Sequence, residues 1–405
     1  MNNTPRANRV HIGLFGRRNV GKSSIINAIT RQDISLVSDI AGTTTDPVFK
    51  SMEILPLGPV VLIDTAGIDD VGELGELRVR KTYDVINKTD IGLIVFDCIQ
   101  DNFDEEIKLI NEFKKRKKPY LILGNKSDLI KEEIDLSTVF HKDKVYIVSA
   151  RQKEGIEELK NAISTSLKIE EEKFRVVGDL IEPGDLVVLV TPIDKAAPKG
   201  RLILPQQQTI RDILESDAIA LVTKEHELRE TLDKLSVKPK MVITDSQVFL
   251  KVSADTPKDV LLTSFSILFA RNKGDLEELV RGAKAIDHLK QGDTILVSEG
   301  CTHHRQSDDI GTVKIPRWLR QYTGKDFNFI YSSGYGFPKD MDDVKLVIHC
   351  GACMLNKAEM MYRIEQVKEK HIPIVNYGVL ISYVQGIFDR ALDPFPLVKM
   401  IYEEE

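Results

Sequence analysis

The chain has 405 residues, too many for a single ordinary hydrophobic core, so two or three domains are expected. Hydrophobic residues make up 42% and charged residues 29%, which excludes a disordered chain and points to a globular one. The net charge of −6 supplies no global field drawing the protein onto nucleic acid, and no apolar run reaches the length of a membrane span. The stretch MNNTPRANRV lacks the apolar region of a secretory signal, so a cytoplasmic protein with no membrane or nucleic-acid partner is expected.

Residues 10–170 alternate short apolar runs with amphipathic stretches, the pattern of βα units around a parallel sheet. Strands are predicted at Val10–Phe15, Val60–Ile63, Ile91–Phe96, Tyr120–Leu123 and Val145–Val148, with helices starting at Lys22, Asp104 and Gly155. The basic run Lys114–Lys118 reads as the solvated carboxyl end of the Asp104 helix, where cations suit the helix dipole. A charged stretch, Ile169–Arg175, marks the exit from this domain. Further strands are predicted at Leu186–Val190, Leu202–Leu204, Ala218–Val222 and Met241–Ile243, with helices at Thr209–Glu215 and His226–Leu235. This middle segment carries no charged constellation that points to chemistry, which leaves spacing and self-association as its uses. The last third begins near Phe265, with helices at Asp275–Leu289 and Asn356–Lys370 and strands at Thr294–Ser298, Phe327–Tyr331, Leu346–His349 and Pro373–Asn376. The fold class is therefore α/β: a doubly wound P-loop NTPase sheet followed by two smaller α/β domains, divided as 1–172, 173–264 and 265–405.

The segment Gly16–Ser24 (GRRNVGKSS) fits G-x-x-x-x-G-K-S between a strand and a helix, the context that motif needs. Gly16 and Gly21 let backbone N–H groups turn toward phosphates, with Asn19, Val20 and Ser24 in the same loop. Lys22 adds a charge at the β- and γ-phosphates, and the Ser23 hydroxyl reaches Mg²⁺. Asp64–Thr65–Ala66–Gly67 follows a strand, so Asp64 is placed to hold Mg²⁺ through water and the Gly67 amide to sense the γ-phosphate. Asn125, Lys126 and Asp128 follow another strand. Asp128 accepts two hydrogen bonds from guanine N1 and its exocyclic amine, and the Ser149–Ala150 backbone gives an amide to the guanine oxygen. These last two elements select GTP over ATP.

Ala41–Asp46 (AGTTTD) resembles switch I of the TrmE/Era group of GTPases. That resemblance implies that Thr44 completes the Mg²⁺ shell and that Asn19 binds K⁺. Ile68 stands where Ras-like proteins carry a water-orienting glutamine, and an isoleucine cannot polarise water. Intrinsic hydrolysis is therefore expected to be slow and to need K⁺, an acidic residue such as Asp69, Asp70 or Glu73, or a facing protomer. The catalytic set is Lys22, Thr44, Asp64 and Gly67.

Of four cysteines, Cys98 reads as a core thiol, whereas Cys301, Cys350 and Cys353 fall in the last third at predicted strand ends. A thioredoxin-like pair would use Cys350 and Cys353 and leave Cys301 unexplained. Three cysteines with one histidine make a common closed zinc set, and three thiolates with a replaceable fourth ligand suit an iron–sulfur cluster. Spacing places metal ahead of redox chemistry and does not separate zinc from iron. Trp318 reads as a packing residue near this region, and Gly334 and Gly336 as a turn.

A TrmE-like GTPase followed by Cys301-x-His303 and, 45 residues on, His349–Cys350-x-x-Cys353 resembles the HydF family, the GTPase scaffolds of FeFe-hydrogenase maturation. Pro192–Gln206 (PIDKAAPKGRLILPQ) resembles that family's middle domain, so the likeness spans the chain. It implies a homodimerisation domain in the middle and a 4Fe-4S cluster on Cys301, Cys350 and Cys353. It also implies a carrier that accepts a di-iron precursor from radical-SAM enzymes and passes it to apo FeFe-hydrogenase. For the fourth iron, His303, His304 and Asp308 lie on an expected loop, while His349 and Cys350 start on opposite faces of a strand. The rival reading is an RNA- or tRNA-modification GTPase of the TrmE/Era type with a structural zinc.

Overall fold

Apolar runs punctuated by Gly, Asp and Asn become parallel strands, and the amphipathic stretches between them become the helices that cover both faces. The computed structural model describes residues 9–30, 47–54, 57–69, 73–130, 136–140, 143–171, 175–192, 202–300, 309–334, 336–338 and 340–404. Two units divide the chain, Met1–Lys173 and Phe174–Glu405.

The first unit runs β1 (Val10–Phe15), α1 (Lys22–Thr30), β2 (Val48–Ile54), β3 (Gly58–Asp64), α2 (Glu73–Lys88), β4 (Ile91–Asp97), α3 (Asp104–Lys115), β5 (Tyr120–Asn125), α4 (Ser137–Phe140), β6 (Val145–Ile147) and α5 (Ile156–Glu171). Its six-stranded sheet has the order β2-β3-β1-β4-β5-β6. The edge strand β2 is antiparallel to β3, and the other pairs are parallel. Side chains alternate between two cores, as a period of two requires. Ile12, Leu14, Leu93 and Val95 meet Ile25, Ile29, Leu159 and Ile163 of α1 and α5. Phe15, Ile63, Ile94 and Phe96 meet Val85, Leu109 and Phe113 of α2 and α3. Strand β2 and helix α2 extend the predicted elements.

Lys114 and Lys115 lie in the last turn of α3 and, with Lys117, are exposed as expected, while Arg116 and Lys118 turn back to α2. Lys118 Nζ donates to the carbonyls of Asn87 (2.7 Å) and Thr89 (2.8 Å), and Arg116 Nε donates to Asn87 Oδ1 at 3.2 Å. Lys118 thereby caps the carboxyl end of α2, where carbonyls lack helical partners, and Arg116 holds the Asn87 side chain beside it.

The second unit runs β7 (Leu186–Val190), α6 (Leu204–Glu215), β8 (Ile219–Thr223), α7 (Leu228–Lys234), β9 (Met241–Thr244), α8 (Phe249–Asp255), β10 (Leu261–Ser264), α9 (Phe265–Lys273), α10 (Leu276–His288), β11 (Thr294–Glu299), α11 (Ile315–Thr323), β12 (Asn328–Ser333), β13 (Val344–His349), α12 (Lys357–Glu369), β14 (Ile374–Asn376), α13 (Tyr377–Val384), α14 (Phe388–Ala391) and α15 (Pro396–Glu404). It holds two four-stranded sheets, β10-β9-β7-β8 and β12-β11-β13-β14, with every pair parallel. One hydrophobic core spans both, from Val187 and Leu262 through Leu268 and Leu279 to Val347 and Leu392. No helix among the described residues is long and apolar enough to cross a membrane.

The strand expected at Leu202–Leu204 is absent, because Leu204 opens α6. Pro205 sits in the first turn, where its missing N–H costs nothing, and the Gln206 side chain accepts the Ile203 N–H at 3.1 Å. Three apolar residues in a row had the look of a strand, but they precede a capped helix.

Arg390 ties α14 to the α8–β10 connection. Its guanidinium donates to the carbonyls of Ser253 (2.6 Å), Thr256 (2.8 Å) and Pro257 (2.7 Å). Arg390→Ala is expected to destabilise the second unit by about 2–4 kcal/mol, since several charge-assisted bonds are lost and their acceptors stranded. Denaturant unfolding checks this, and a loss below about 0.5 kcal/mol would show that water replaces the guanidinium freely.

Candidate functional site

The phosphate loop connects β1 to α1, and two of its glycines admit no side chain. A Cβ on Gly16 (φ +149°) would lie 2.1 Å from the Val95 carbonyl oxygen, and one on Gly21 (φ +92°) 2.2 Å from Asn125 Nδ2. Asn19 also has a positive φ, 61°, a conformation asparagine tolerates, and both it and Ser24 are exposed. Lys22 is buried, with its ammonium held 2.9 Å from the Gly16 carbonyl and 2.7 Å from that of Arg17.

The motifs on neighbouring strands converge on this loop. Ser23 Oγ donates to Asp64 Oδ2 at 2.5 Å, which joins the two expected Mg²⁺ residues. Thr65 Oγ1 donates to the Leu14 carbonyl at 2.6 Å and pins the Asp64–Gly67 turn beside β1. Buried Asn125 is a staple: Nδ2 donates to the carbonyl of Val20 (2.8 Å) while Oδ1 accepts the Ala150 N–H (3.1 Å). Asp128 Oδ1 accepts the hydroxyl of buried Ser149 at 2.6 Å, so the two expected base contacts are joined. Lys126, at φ 65°, pairs with Asp97 Oδ2 at 2.5 Å. Asp97, the end of β4, was not singled out from sequence; a lone aspartate closing an apolar strand is its only mark.

Ile68 turns away from the loop into the core beneath α2 and α3. The next side chain, Asp69, accepts the Arg18 backbone N–H at 2.7 Å, so this candidate acid is already engaged by the phosphate loop. Thr44 and Asp70 lie outside the described residues.

In the second unit, β13 lies between β11 and β14, with Ser298, His349 and Asn376 in register. The Cys350 N–H continues the ladder to the Ser298 carbonyl at 2.9 Å. In return the Gly300 N–H donates to Cys350 Sγ at 3.1 Å. Cys350 thus faces the end of β11, from which Cys301 follows. Cys301, His303, His304 and Asp308 lie outside the described residues.

His349 is fully buried and both its ring nitrogens are taken. Arg363 Nη1 lies 3.1 Å from Nε2, and a guanidinium only donates, so Nε2 accepts and Nδ1–H donates to the Cys350 carbonyl at 2.9 Å. Burial and the Arg363 charge lower the His349 pKa to about 3. Arg363 is itself fully buried, bonded to Glu359 Oε1 (3.0 Å) and the Gly334 carbonyl (2.7 Å), and stacked on Phe337. His349 is therefore a fixed part of the scaffold behind the cysteines and presents no nitrogen to a metal.

The Cys350–Cys353 turn is tight. Ala352 adopts φ 53° and is buried. Cys350 accepts backbone hydrogen bonds from Gly300 and Ala352, while burial pushes its thiol up to about 11. Burial also raises the Cys353 thiol, which Lys273 opposes. Lys273, at the end of α9, is 5% exposed, and its Nζ donates to the carbonyls of Leu355 (2.9 Å), Cys353 (3.3 Å) and Ala352 (3.4 Å). Burial drives the Lys273 pKa down to about 8, and the two cysteines resist that fall. Nothing in the local sequence FARNK marks this lysine, because its partners lie some 80 residues away. Behind Cys350, the Tyr377 hydroxyl donates to buried Glu299 at 3.2 Å. Trp318 packs half-buried on the core, and Cys98 is buried, its thiol pushed up to about 12 by desolvation.

Soft thiol ligands that accept backbone N–H bonds, sit beside a buried cation and lie at the mouth of two strands fit an anionic metal–sulfur group. Only two of the expected ligands fall among the described residues, where no group of three or more His, Cys, Asp or Glu gathers.

A six-stranded sheet in this order, with a phosphate loop after β1, the Asp64 turn after β3 and the Asn125–Asp128 segment after β5, defines a P-loop GTPase domain. The family model described as a 50S ribosome-binding GTPase matches residues 11–126. Beyond it, the hydrogen maturase F dimerization domain matches residues 176–274 and the hydrogen maturase F tetramerization domain residues 277–394. The chain belongs to the hydrogen maturase F (HydF) family.

Relatives of the first unit include the tRNA modification GTPase MnmE of Aquifex aeolicus, 35% identical over 156 residues that cover 38% of this chain and 34% of that protein. The GTPase Der of Mycoplasmopsis pulmonis is 34% identical over 135 residues, covering 32% and 31%. The chain thus spans about a third of the length of these curated relatives. Among solved structures, the G-domain of FeoB from Methanococcus jannaschii covers 40% of this chain and 98% of its own at 27% identity, with a TM-score of 0.32. The first unit is a GTP-hydrolysing domain that uses GTP and Mg²⁺, and the second carries modules for oligomer formation. The match of the last third to a tetramerization domain adds a use that the sequence reading had not assigned.

Ala352 tests the tight turn. Ala352→Gly removes the left-handed strain and is expected to change stability by less than about 1 kcal/mol, while buried, β-branched Ala352→Val costs roughly 2 kcal/mol or more. Thermal melting of the metal-free protein distinguishes them, and equal melting temperatures would contradict the left-handed assignment.

Proposed function

We propose that this chain is a GTPase-gated scaffold that binds a 4Fe-4S cluster, accepts the di-iron precursor of the hydrogenase active-site cluster from radical-SAM enzymes, and delivers it to apo FeFe-hydrogenase. The observation that carries this reading is Cys350 at the end of β13, bonded by the Gly300 amide at the end of β11, within a chain of the HydF family. Residues 1–172 are the switch, 173–264 the homodimerisation domain and 265–405 the cluster-binding domain in this proposal. Cys301, Cys350 and Cys353 hold the cluster, and His303, His304 or Asp308 occupies its fourth position. Such a cluster, when bound, supplies an iron with one exchangeable site for cargo. The chain's own part is to stabilise thiolate charge through N–H donors and to keep His349 from competing for that iron.

In the switch, Lys22, Ser23, Thr44, Asp64 and Gly67 act on the phosphates and Mg²⁺, while Asn125, Lys126, Asp128, Ser149 and Ala150 select guanine. The inward turn of Ile68 and the engagement of Asp69 by Arg18 support slow intrinsic hydrolysis. K⁺ held at Asn19 supplies the missing electrostatic help. MnmE of Aquifex aeolicus matches 38% of this chain, whereas hydrogen maturase F modules match residues 176–274 and 277–394, which supports the scaffold reading over a tRNA role.

GTP turnover is expected to be about tenfold faster in K⁺ than in Na⁺, and equal rates would remove K⁺ from the account. Lys22→Ala is expected to abolish turnover and to slow activation of apo-hydrogenase by the loaded protein. Wild-type activation by this variant would break the link between switch and delivery.

A further inference from the structure

Helix α9 approaches the cysteine turn along one face. Ser266 and Lys273 are seven residues apart, two helical turns, so both point the same way. Ser266 Oγ lies 3.4 Å from where a Gly351 Cβ would stand, and Lys273 Nζ reaches the carbonyls of residues 352, 353 and 355. Besides these carbonyls the ammonium has the Phe269 ring at 5.8 Å, and no carboxylate pairs with it among the described residues. A cation that is 5% exposed and has no carboxylate partner among the described residues is costly to bury unless an anion is close by. One of the carbonyls it holds, at 3.3 Å, is that of Cys353, a proposed ligand of the anionic cluster.

We propose that Lys273 is the positioning residue of the cluster site. Through three carbonyl bonds it sets the path of the Ala352–Leu355 backbone and so the direction of Cys353, and its charge balances the thiolates and the anionic cluster they hold. This inference rests on the cluster reading above. It adds a helix outside the cysteine motifs to the machinery that binds the cluster and sets its potential. Positive charge near an anionic cluster favours the reduced, more negative state, so the lysine raises the midpoint potential.

The test uses full-length protein reconstituted anaerobically with ferrous iron and sulfide. Iron retention against a chelator and the midpoint potential are measured for wild type, Lys273→Met, Lys273→Gln and Lys273→Arg. Lys273→Met loses both roles, and its affinity for iron is expected to fall roughly tenfold or more, as for other residues that orient metal ligands. Lys273→Gln keeps amide donors without the charge, so it retains more iron than the methionine variant but titrates at a more negative potential. Lys273→Arg restores the potential toward wild type. If Lys273→Met fails to fold, the glutamine and arginine variants still separate charge from support. Wild-type uptake with unchanged affinity and potential in the methionine and glutamine variants overturns the role of Lys273 alone. Wild-type protein that takes up no cluster overturns the cluster reading itself.

Discussion

Neighbouring strands that run parallel end on the same edge of their sheet, and both sites of this chain are built on that constraint. In the first unit the ends of β1, β3, β4 and β5 bring Gly16, Asp64, Asp97 and Asn125 to one edge. There, hydrogen bonds join Ser23 to Asp64, Val20 to Asn125 and Asp97 to Lys126. In the second unit β11 and β13 end side by side, so Gly300 reaches the sulfur of Cys350 although 50 residues separate them. An antiparallel pairing would have sent these loops to opposite ends and separated the groups that must act together.

The two edges differ in electrostatic character. At the phosphate loop Lys126 is paired with Asp97, while the ammonium of buried Lys22 is held by the carbonyls of Gly16 and Arg17 within the loop itself. At the cysteine turn, buried cations lie beneath the ligands. Arg363 holds His349 and so immobilises the residue before Cys350, while Lys273 holds the carbonyls on the other side of the turn. Lys273 opposes the rise that burial imposes on the Cys353 thiol, and the Gly300 and Ala352 amides do the same at Cys350, surroundings suited to thiolate charge.

The phosphate loop, the Asp64 turn and the Asn125–Asp128 segment were legible because their chemistry requires contiguous residues at fixed spacing after apolar runs. Most strands were legible for the same reason of burial on both faces. Strand β2 was harder, since an edge strand mixes Lys50, Ser51 and Glu53 into its apolar residues. The misread strand at Leu202–Leu204 shows how a short apolar run loses to a proline and a capping glutamine just downstream. Lys273 and Arg363 were invisible as partners of the sites, because their meaning lies in contacts to distant carbonyls or a distant ring, while Asp69 was named as a candidate acid but its bond to the Arg18 amide was not foreseen. Sequence gave reason to doubt His349 as a ligand through strand alternation, and the fold supplies the stronger cause in its two occupied nitrogens.

The central claim is that the second unit carries an iron–sulfur cluster and not a structural zinc. Metal and sulfide analysis of the anaerobically purified full-length protein, with its visible spectrum, tests this most directly. The account predicts a brown protein with iron and sulfide in the ratio of a 4Fe-4S cluster, lost in Cys350→Ser. Colourless wild-type protein that holds zinc would contradict it.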